Sequence, residues 1–232
     1  MIRVIPARER HFNDFGWLQT YWLFSFDTYR DPDNVNFGAL RVFNDDVVAP
    51  GGGFPPHPHG EMEIVTIVLS GAVTHSDSMG NKTVIRAGDV QRMTAGTGVR
   101  HSEFNFEGEP LHLYQIWILP DKRGLTPSYE QRTTRVADYK NRLLAVASSD
   151  PSHRDVVRLN TDAVIYLSDM DAGHEHVFRN EAGRRIFLYV TAGALEVNGA
   201  LLETNDQARI EGEKELTIRA QSAARFIVVE VP

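Results

Sequence analysis

Residues 51–103 read GGGFPPHPHGEMEIVTIVLSGAVTHSDSMGNKTVIRAGDVQRMTAGTGVRHSE and carry four metal-ligand candidates in two pairs, His57 with His59 and His101 with Glu103. Each pair is spaced i, i+2. Side chains alternate between faces along an extended strand, so such a pair points one way, with its members roughly 7 Å apart along the backbone. Two pairs on facing strands would surround a single ion with four inward donors. The flanking residues provide the turns this needs: Gly51, Gly52, Gly53, Pro55 and Pro56 precede the first pair, and Gly96 and Gly98 precede the second.

Three imidazoles and a carboxylate make an N/O donor set with no thiolate, suited to Fe(II), Mn, Co, Ni, Cu(II) or Zn. Four protein ligands on an ion that accepts five or six leave positions for water, substrate or dioxygen, unlike a closed tetrahedral structural site.

Working outward, residues 62–69 (MEIVTIVL) read as a strand that turns at Ser70-Gly71 and returns through AVTHSD at 72–77, and KTVIRAGDVQRM at 82–93 adds a further pair. His75 on the hairpin partner, near a turn, is expected to hydrogen-bond or to lie at the surface rather than to ligate. LHLYQIWILP at 111–120 alternates with both faces largely apolar, as in a strand packed between layers, and His112 within it reads as a satisfied histidine. Upstream, FGWLQTYWLFSF (15–26) and FGALRVFNDDVV (37–48) read as strands, the second broken by Asn44-Asp45-Asp46 as a turn signal. Trp17, Tyr21, Trp22, Phe24 and Phe26 are expected to pack as core rather than to form a substrate platform.

Residues 121–153 are polar, punctuated by Pro and Gly, and lack period-2 alternation until RLLAVAS. Beyond them the style of the first half returns. VTIVLSGAVT at 65–74 corresponds to IFLYVTAGALEV at 186–197, with Gly71 matched to Gly193 and Asp89 to Asp206, and Val197-Asn198-Gly199-Ala200 is a strong hairpin signal. Such self-similarity predicts a duplicated fold. The second copy has its own His174-Glu175-His176, but QARIEGEKELTIRA after Asp206 supplies no third imidazole. With Glu175 or Glu181 the pair would make a weak site at best, so the copy is expected to be degenerate.

Composition fits a globular chain: 232 residues, 42% hydrophobic, 24% charged, with no cysteine and a net charge of -7. The absence of cysteine excludes disulfides, thiolate metal sites and cysteine nucleophiles, consistent with a reducing cytoplasm. The negative charge argues against a nucleic-acid surface. No apolar run approaches the roughly 18 residues of a membrane span, and MIRVIPARER lacks a signal-peptide core.

At the residues quoted above the chain resembles the cupin superfamily. Gly51, His57, His59, Gly71, Gly88, Asp89, Gly98, His101 and Asn105 fit the general pattern. Within it the chain is similar to pirins, through FGWLQT at 15–20, HPHGEMEIVTIVLSG at 57–71, HSDSMGN at 75–81 and GDVQRMTAGTGVRHSE at 88–103. The resemblance implies an all-β bicupin with two antiparallel jelly-roll barrels. The expected division is a metal-binding domain at 1–125, a connecting segment at 126–153 and a degenerate domain at 154–232. It also implies one divalent transition metal ion, Fe(II) first among the candidates, held by His57, His59, His101 and Glu103. The general cupin glutamate has only Glu63 or Glu61 as its counterpart, and by parity either could compete with Glu103 as the carboxylate ligand.

More narrowly the chain resembles bacterial pirin-like quercetin 2,3-dioxygenases. That implies cleavage of flavonols by dioxygen with release of carbon monoxide, with Glu103 as ligand or catalytic base; the protein is expected to be a cytoplasmic monomer. Phe54, Met62, Met93, Phe104 and Phe106 are candidate pocket walls. The alternative is a metal-bearing regulatory protein that acts through protein partners, as eukaryotic pirin does. A metal-dependent isomerase or another cupin enzyme would share the ligands but not the flavonol.

Overall fold

Period-2 alternation becomes β-strand along almost the whole chain in the computed structural model, which describes residues 1–180 and 183–232. Among the described residues there is no α-helix, only two 3-10 turns at Ala7–Glu9 and Val136–Asp138. Among the described residues no helix is long and apolar enough to cross a membrane. Two compact units form, one from His11–Thr134 with Asp155–Thr161, the other from Met1–Arg10, Arg135–Arg154 and Asp162–Pro232.

In the first unit a larger sheet orders its strands as Ser128–Thr133, Asp89–Thr94, Glu63–Ser70, Leu111–Ile118, Leu40–Val48, Leu18–Trp22 and His11–Asp14. A smaller sheet orders Gly53–His59, Val99–Phe104, Ala72–Asp77 and Lys82–Arg86. The second unit repeats the scheme. Its larger sheet includes Ile2–Ile5, Gln207–Ile210, Arg185–Ala192, Ala224–Val231, Val164–Met170 and Leu144–Ser148 in that order. Its smaller sheet runs Glu175–Arg179, Glu215–Ala220, Ala194–Val197 and Ala200–Glu203. In neither unit do the described hydrogen-bond ladders join the two sheets into one closed barrel.

The units depart from the boundaries 1–125, 126–153 and 154–232. The 126–153 stretch contains Ser128–Thr133, which pairs antiparallel with Asp89–Thr94, and Leu144–Ser148, which pairs with Val164–Met170. The edge filled by Ser128–Thr133 in the first unit is filled in the second by Ile2–Ile5, which pairs with Gln207–Ile210. A strand recruited from a distant part of the sequence leaves no local turn signal to mark it.

Register confirms the duplication. Gln115 faces Thr66, and Thr66 faces Gln91; in the second unit Val228 faces Leu188, and Leu188 faces Ala208. Asp89 and Asp206 then occupy one position and do one job. Each accepts a hydrogen bond at 2.8 Å from the backbone N–H three residues earlier, of Arg86 and of Glu203.

The interiors differ. In the second unit a continuous apolar cluster includes Ile186, Leu188, Val190, Ala208, Phe226 and Val228. In the first, Ile64 and Met93 belong to one cluster and Val68, Leu111 and Leu113 to another, with buried Thr66, Gln91 and Gln115 at the intervening inward positions. A polar layer replaces an aliphatic one.

Gly71 and Gly193 occupy matching turns at φ 76° and 81°. A Cβ on Gly71 would lie 2.8 Å from the Pro110 carbonyl oxygen and 2.9 Å from Leu111 Cα, and one on Gly193 would lie 2.9 Å from Ala224 Cα. Gly71→Ala and Gly193→Ala are expected to destabilise by at least about 2 kcal/mol in thermal or urea denaturation, of which the left-handed φ accounts for ~1–2 kcal/mol. Gly80 also has positive φ but open space around it. Its alanine variant should therefore lose only the dihedral part, and equal losses at Gly71 and Gly80 would show that the close approach contributes nothing.

Candidate metal centre

Two adjacent strands carry the histidines. In the ladder between Gly53–His59 and Val99–Phe104, His57 lies opposite His101 and His59 opposite Val99, and the register then shifts so that Glu103 lies opposite Phe54. That irregularity re-aims Glu103 relative to His101, a usual effect of a bulge. Gly53 permits the close approach, since a Cβ there would meet Phe104 Cα at 2.6 Å. On its other side Val99–Phe104 pairs with Ala72–Asp77, with Glu103 opposite His75 and His101 opposite Asp77.

The ring nitrogens of His57, His59 and His101 lie within 4.8 Å of one another, close enough to converge on one ion. Glu103 enters through a second group of the same span, with His75 and His101. The four residues expected to act together therefore form two overlapping triads that share His101. His57 and His59 are half-buried, while His101 and Glu103 are buried.

His59 and His101 are held as neutral donors. Burial first, then the neighbouring His57 and His75, lowers His101 to about 3. Burial, then His101 and His57, lowers His59 to about 4. The His57 ring places Nδ1 2.8 Å from the Pro55 carbonyl, which can only accept, so Nδ1 carries the hydrogen and Nε2 keeps its lone pair. Two buried atoms here have no hydrogen-bond partner among the described residues, His101 Nε2 and Glu103 Oε1. The other oxygen of Glu103 accepts from Gln115 Nε2 at 3.2 Å, and Gln115 Oε1 accepts from Thr66. Stranded lone pairs beside convergent neutral imidazoles are what a divalent cation would satisfy, so the donor set fits a metal.

These residues border a cavity of about 640 Å³. Trp17, Trp22, Phe26, Phe54 and Trp117 form aromatic wall, and Asn44, Asp46 and Gln115 add a polar patch. The patch is contiguous with the centre because Asn44 faces Gln115 across the ladder. Among the described residues, Asn44 Oδ1 and Asp46 Oδ1 are buried without hydrogen-bond partners. Burial raises Asp46 to about 7, with Thr20 opposing the shift and Asp45 and Glu103 adding to it.

Several sequence expectations change here. Asn44-Asp45-Asp46 is no turn but lies inside the strand Leu40–Val48, with all three side chains buried. Of the proposed walls, Phe54 lines the cavity, whereas Met93 is fully buried against Ile64 and Val99, and Phe106 is 70% exposed; Met62 and Phe104 are not among the lining residues. Trp17, Trp22 and Phe26 line the cavity, Trp22 while itself buried in the core, and Phe24 is fully buried as expected. Glu61 and Glu63 do not join the cluster. The strand ends at His59 and Glu61 has φ 51°, so parity does not carry across; Glu61 accepts from Gly124 N–H and Glu63 from Asn160 N–H.

Gln115 and Trp117, outside the expected site residues, also line the cavity, and their i, i+2 spacing on one face of Leu111–Ile118 is the signal in the sequence that joins them. His112 is partnered, its Nε2 lying 2.6 Å from Asp45 Oδ1. In the second unit Ala220 N–H bonds the His174 carbonyl and Ile218 pairs with His176, so Ala220 stands where the first unit has His101. No metal-binding group forms there among the described residues; Glu181 lies outside them.

The chain matches the family model described as Pirin over residues 5–118 and that described as Quercetinase C-terminal cupin domain over 145–231. It is 41% identical to quercetin 2,3-dioxygenase of Escherichia coli (strain K12), over 100% of this chain and 99% of that protein. It is 42% identical to a pirin-like protein of Caulobacter vibrioides, over 94% of each. The crystal structure of the bacterial pirin YhhW from Escherichia coli in complex with nickel(II) superposes with a TM-score of 0.95 at 40% identity, covering 100% of this chain and 99% of that one. Family models, relatives and solved structure agree with the fold and the residue motifs, and the chain belongs to the pirin family, with an N-terminal pirin domain and a C-terminal cupin domain.

Proposed function

We propose that this protein is a metal-dependent dioxygenase that opens flavonols such as quercetin with dioxygen and releases carbon monoxide, at a centre held by His57, His59, His101 and Glu103. The observation that carries the reading is the convergence of three imidazoles and a buried carboxylate on an aromatic-walled cavity of about 640 Å³. That volume lies within the range of small-molecule sites, roughly 300–1,000 Å³. The kinship with quercetin 2,3-dioxygenase supports the choice of substrate. Fe(II) is the ion we favour, and the N/O donor set also admits Mn, Co, Ni, Cu and Zn. We take the working form to be a cytoplasmic monomer with jelly-roll barrel domains.

A divalent ion, when bound, supplies Lewis acidity that lowers the pKa of a coordinated oxygen acid, by roughly 9 units for water on zinc. The residues do the rest. The neutral imidazoles of His59 and His101 supply lone pairs without adding charge. Glu103, anchored through Oε2 to Gln115, offers Oε1 either as fourth ligand or as acceptor of the flavonol 3-hydroxyl proton. Trp17, Trp22, Phe26, Phe54 and Trp117 suit a flat polycyclic substrate and exclude water around it. Asn44 and Asp46 present acceptors that suit its remaining phenolic hydroxyls.

His101→Ala or His57→Ala should lose metal and flavonol turnover together, with metal affinity falling by more than the 10–100-fold typical of changes outside the ligand shell. His174→Ala should keep both. The checks are metal content and dioxygen consumption after stripping and reloading with each ion in turn. Loss of metal in His174→Ala, or full turnover in His101→Ala, would overturn the assignment. Tight metal binding without turnover on any flavonol would move the weight to the regulatory reading.

Asn44→Leu and Asp46→Leu should narrow the preference for hydroxylated flavonols over the analogue lacking those hydroxyls by at least about tenfold, since a site built to bond a hydroxyl loses that discrimination when its acceptor is removed. Tryptophan fluorescence quenching measures both affinities without requiring turnover, and an unchanged ratio would exclude the two residues from recognition.

A further inference from the structure

His75 and Asp77 lie beside the centre, on Ala72–Asp77, and neither is needed as a ligand. Both side chains are fully buried, and His75 Nε2 lies 2.9 Å from Asp77 Oδ2. Asp77 is surrounded by donors. Its Oδ1 accepts from the backbone N–H groups of Met79 and Asn81 at 3.0 and 3.1 Å, and Asn81 Nδ2 donates to both oxygens. An oxygen pair that accepts from every other neighbour is an acceptor toward His75 as well, so His75 Nε2 carries the hydrogen. On the opposite side of the ring, His75 Nδ1 faces His101 Nδ1 at 3.5 Å, the long end of a hydrogen bond. The Tyr129 ring covers His75, with centroids 5.0 Å apart.

Proton bookkeeping along this line has a consequence at the far end. A neutral His75 that donates from Nε2 holds a lone pair on Nδ1, which favours a hydrogen on the facing His101 Nδ1. A neutral His101 with its hydrogen on Nδ1 has a bare lone pair on Nε2, the buried atom left without a partner at the cavity. We propose that Asp77 and His75 are positioning residues that set the tautomer and ring orientation of His101, so that Nε2 is presented to the metal as a lone pair. This extends to His101 the arrangement that the Pro55 carbonyl provides for His57. It rests on the reading of His101 as a ligand, and it is independent of whether flavonol is the substrate.

The inference is directional, which makes it testable with near-isosteric changes. In Asp77→Asn the side-chain oxygen can keep the Met79 and Asn81 amides while the new NH₂ faces His75 Nε2. Each donor along the line is then reversed, so His75 donates from Nδ1, His101 accepts there, and its Nε2 carries the hydrogen. His75→Gln keeps the original direction, because an amide can donate to Asp77 and accept from His101. His75→Leu has neither group. Cobalt(II) is the probe, with affinity measured by titration calorimetry and ligation by its visible absorption bands, and circular dichroism checks the fold of each variant. Asp77→Asn and His75→Leu should bind cobalt(II) roughly 10–100-fold more weakly than the original protein, with His75→Gln restoring most of the loss. Wild-type affinity in folded Asp77→Asn would overturn the proposal, as would a His75→Gln variant no better than His75→Leu. Failure of the unmodified protein to bind cobalt(II) would overturn both this inference and the ligand assignment, whereas failure to turn over flavonol would leave this one standing.

Discussion

The pairing of Val99–Phe104 with its two neighbours is the constraint on which the rest depends. This strand has the Gly53–His59 strand on one side and Ala72–Asp77 on the other, so one backbone ladder brings His57 opposite His101 and another brings Asp77 opposite His101. Side chains alternate with a period of two, and a slip of one residue in either ladder would send every one of these groups to the wrong face. The register shift between His101 and Glu103 is the single irregularity in that pairing, and it falls between the imidazole and the carboxylate of the site. Ligand geometry is thereby a property of backbone hydrogen bonding rather than of flexible loops.

That placement has an energetic cost. Leaving a buried donor or acceptor unsatisfied costs about 1–3 kcal/mol, and His101 Nε2, Glu103 Oε1, Asn44 Oδ1 and Asp46 Oδ1 are all buried without partners. Several such groups together are a substantial fraction of the roughly 5–15 kcal/mol by which a protein is stable. A cation at the imidazoles and a hydroxylated ligand at the polar patch would each remove part of this cost. Stability and occupancy are coupled for this reason, since anything that binds only the folded state stabilises it.

The strands were legible where hydrophobic alternation and turn chemistry agreed. AVTHSD coincides with a strand, and the Asn198-Gly199 turn has the positive φ values, 47° and 84°, that a tight hairpin requires. The histidine pairs were legible for the same reason, because spacing i, i+2 is read directly from parity. Parity failed at Glu61 and Glu63, where it was extended across a turn. Asn44-Asp45-Asp46 was misread because a polar triplet between apolar residues normally marks a turn; here two of its members line a cavity, a destination that only the neighbouring strands determine. The edge strands Ile2–Ile5 and Ser128–Thr133 pair with residues far away in sequence, and no local pattern encodes such a partner.

The second unit serves as an internal control for what the fold needs. It has the same strand order, the same turn glycine and the same capping aspartate, yet Leu188, Val228 and Ala208 replace Thr66, Gln115 and Gln91, and Ala220 replaces the third imidazole. An aliphatic layer therefore suffices to build this architecture. The polar layer and the convergent histidines of the first unit occupy buried positions against the preference of a core for apolar groups, which supports the proposal that they serve a ligand. The same comparison shows how His174 and His176 differ from the first pair: a lone His-x-His on a strand brings two donors to one wall, and Ala220 stands on the facing strand where the first unit has His101.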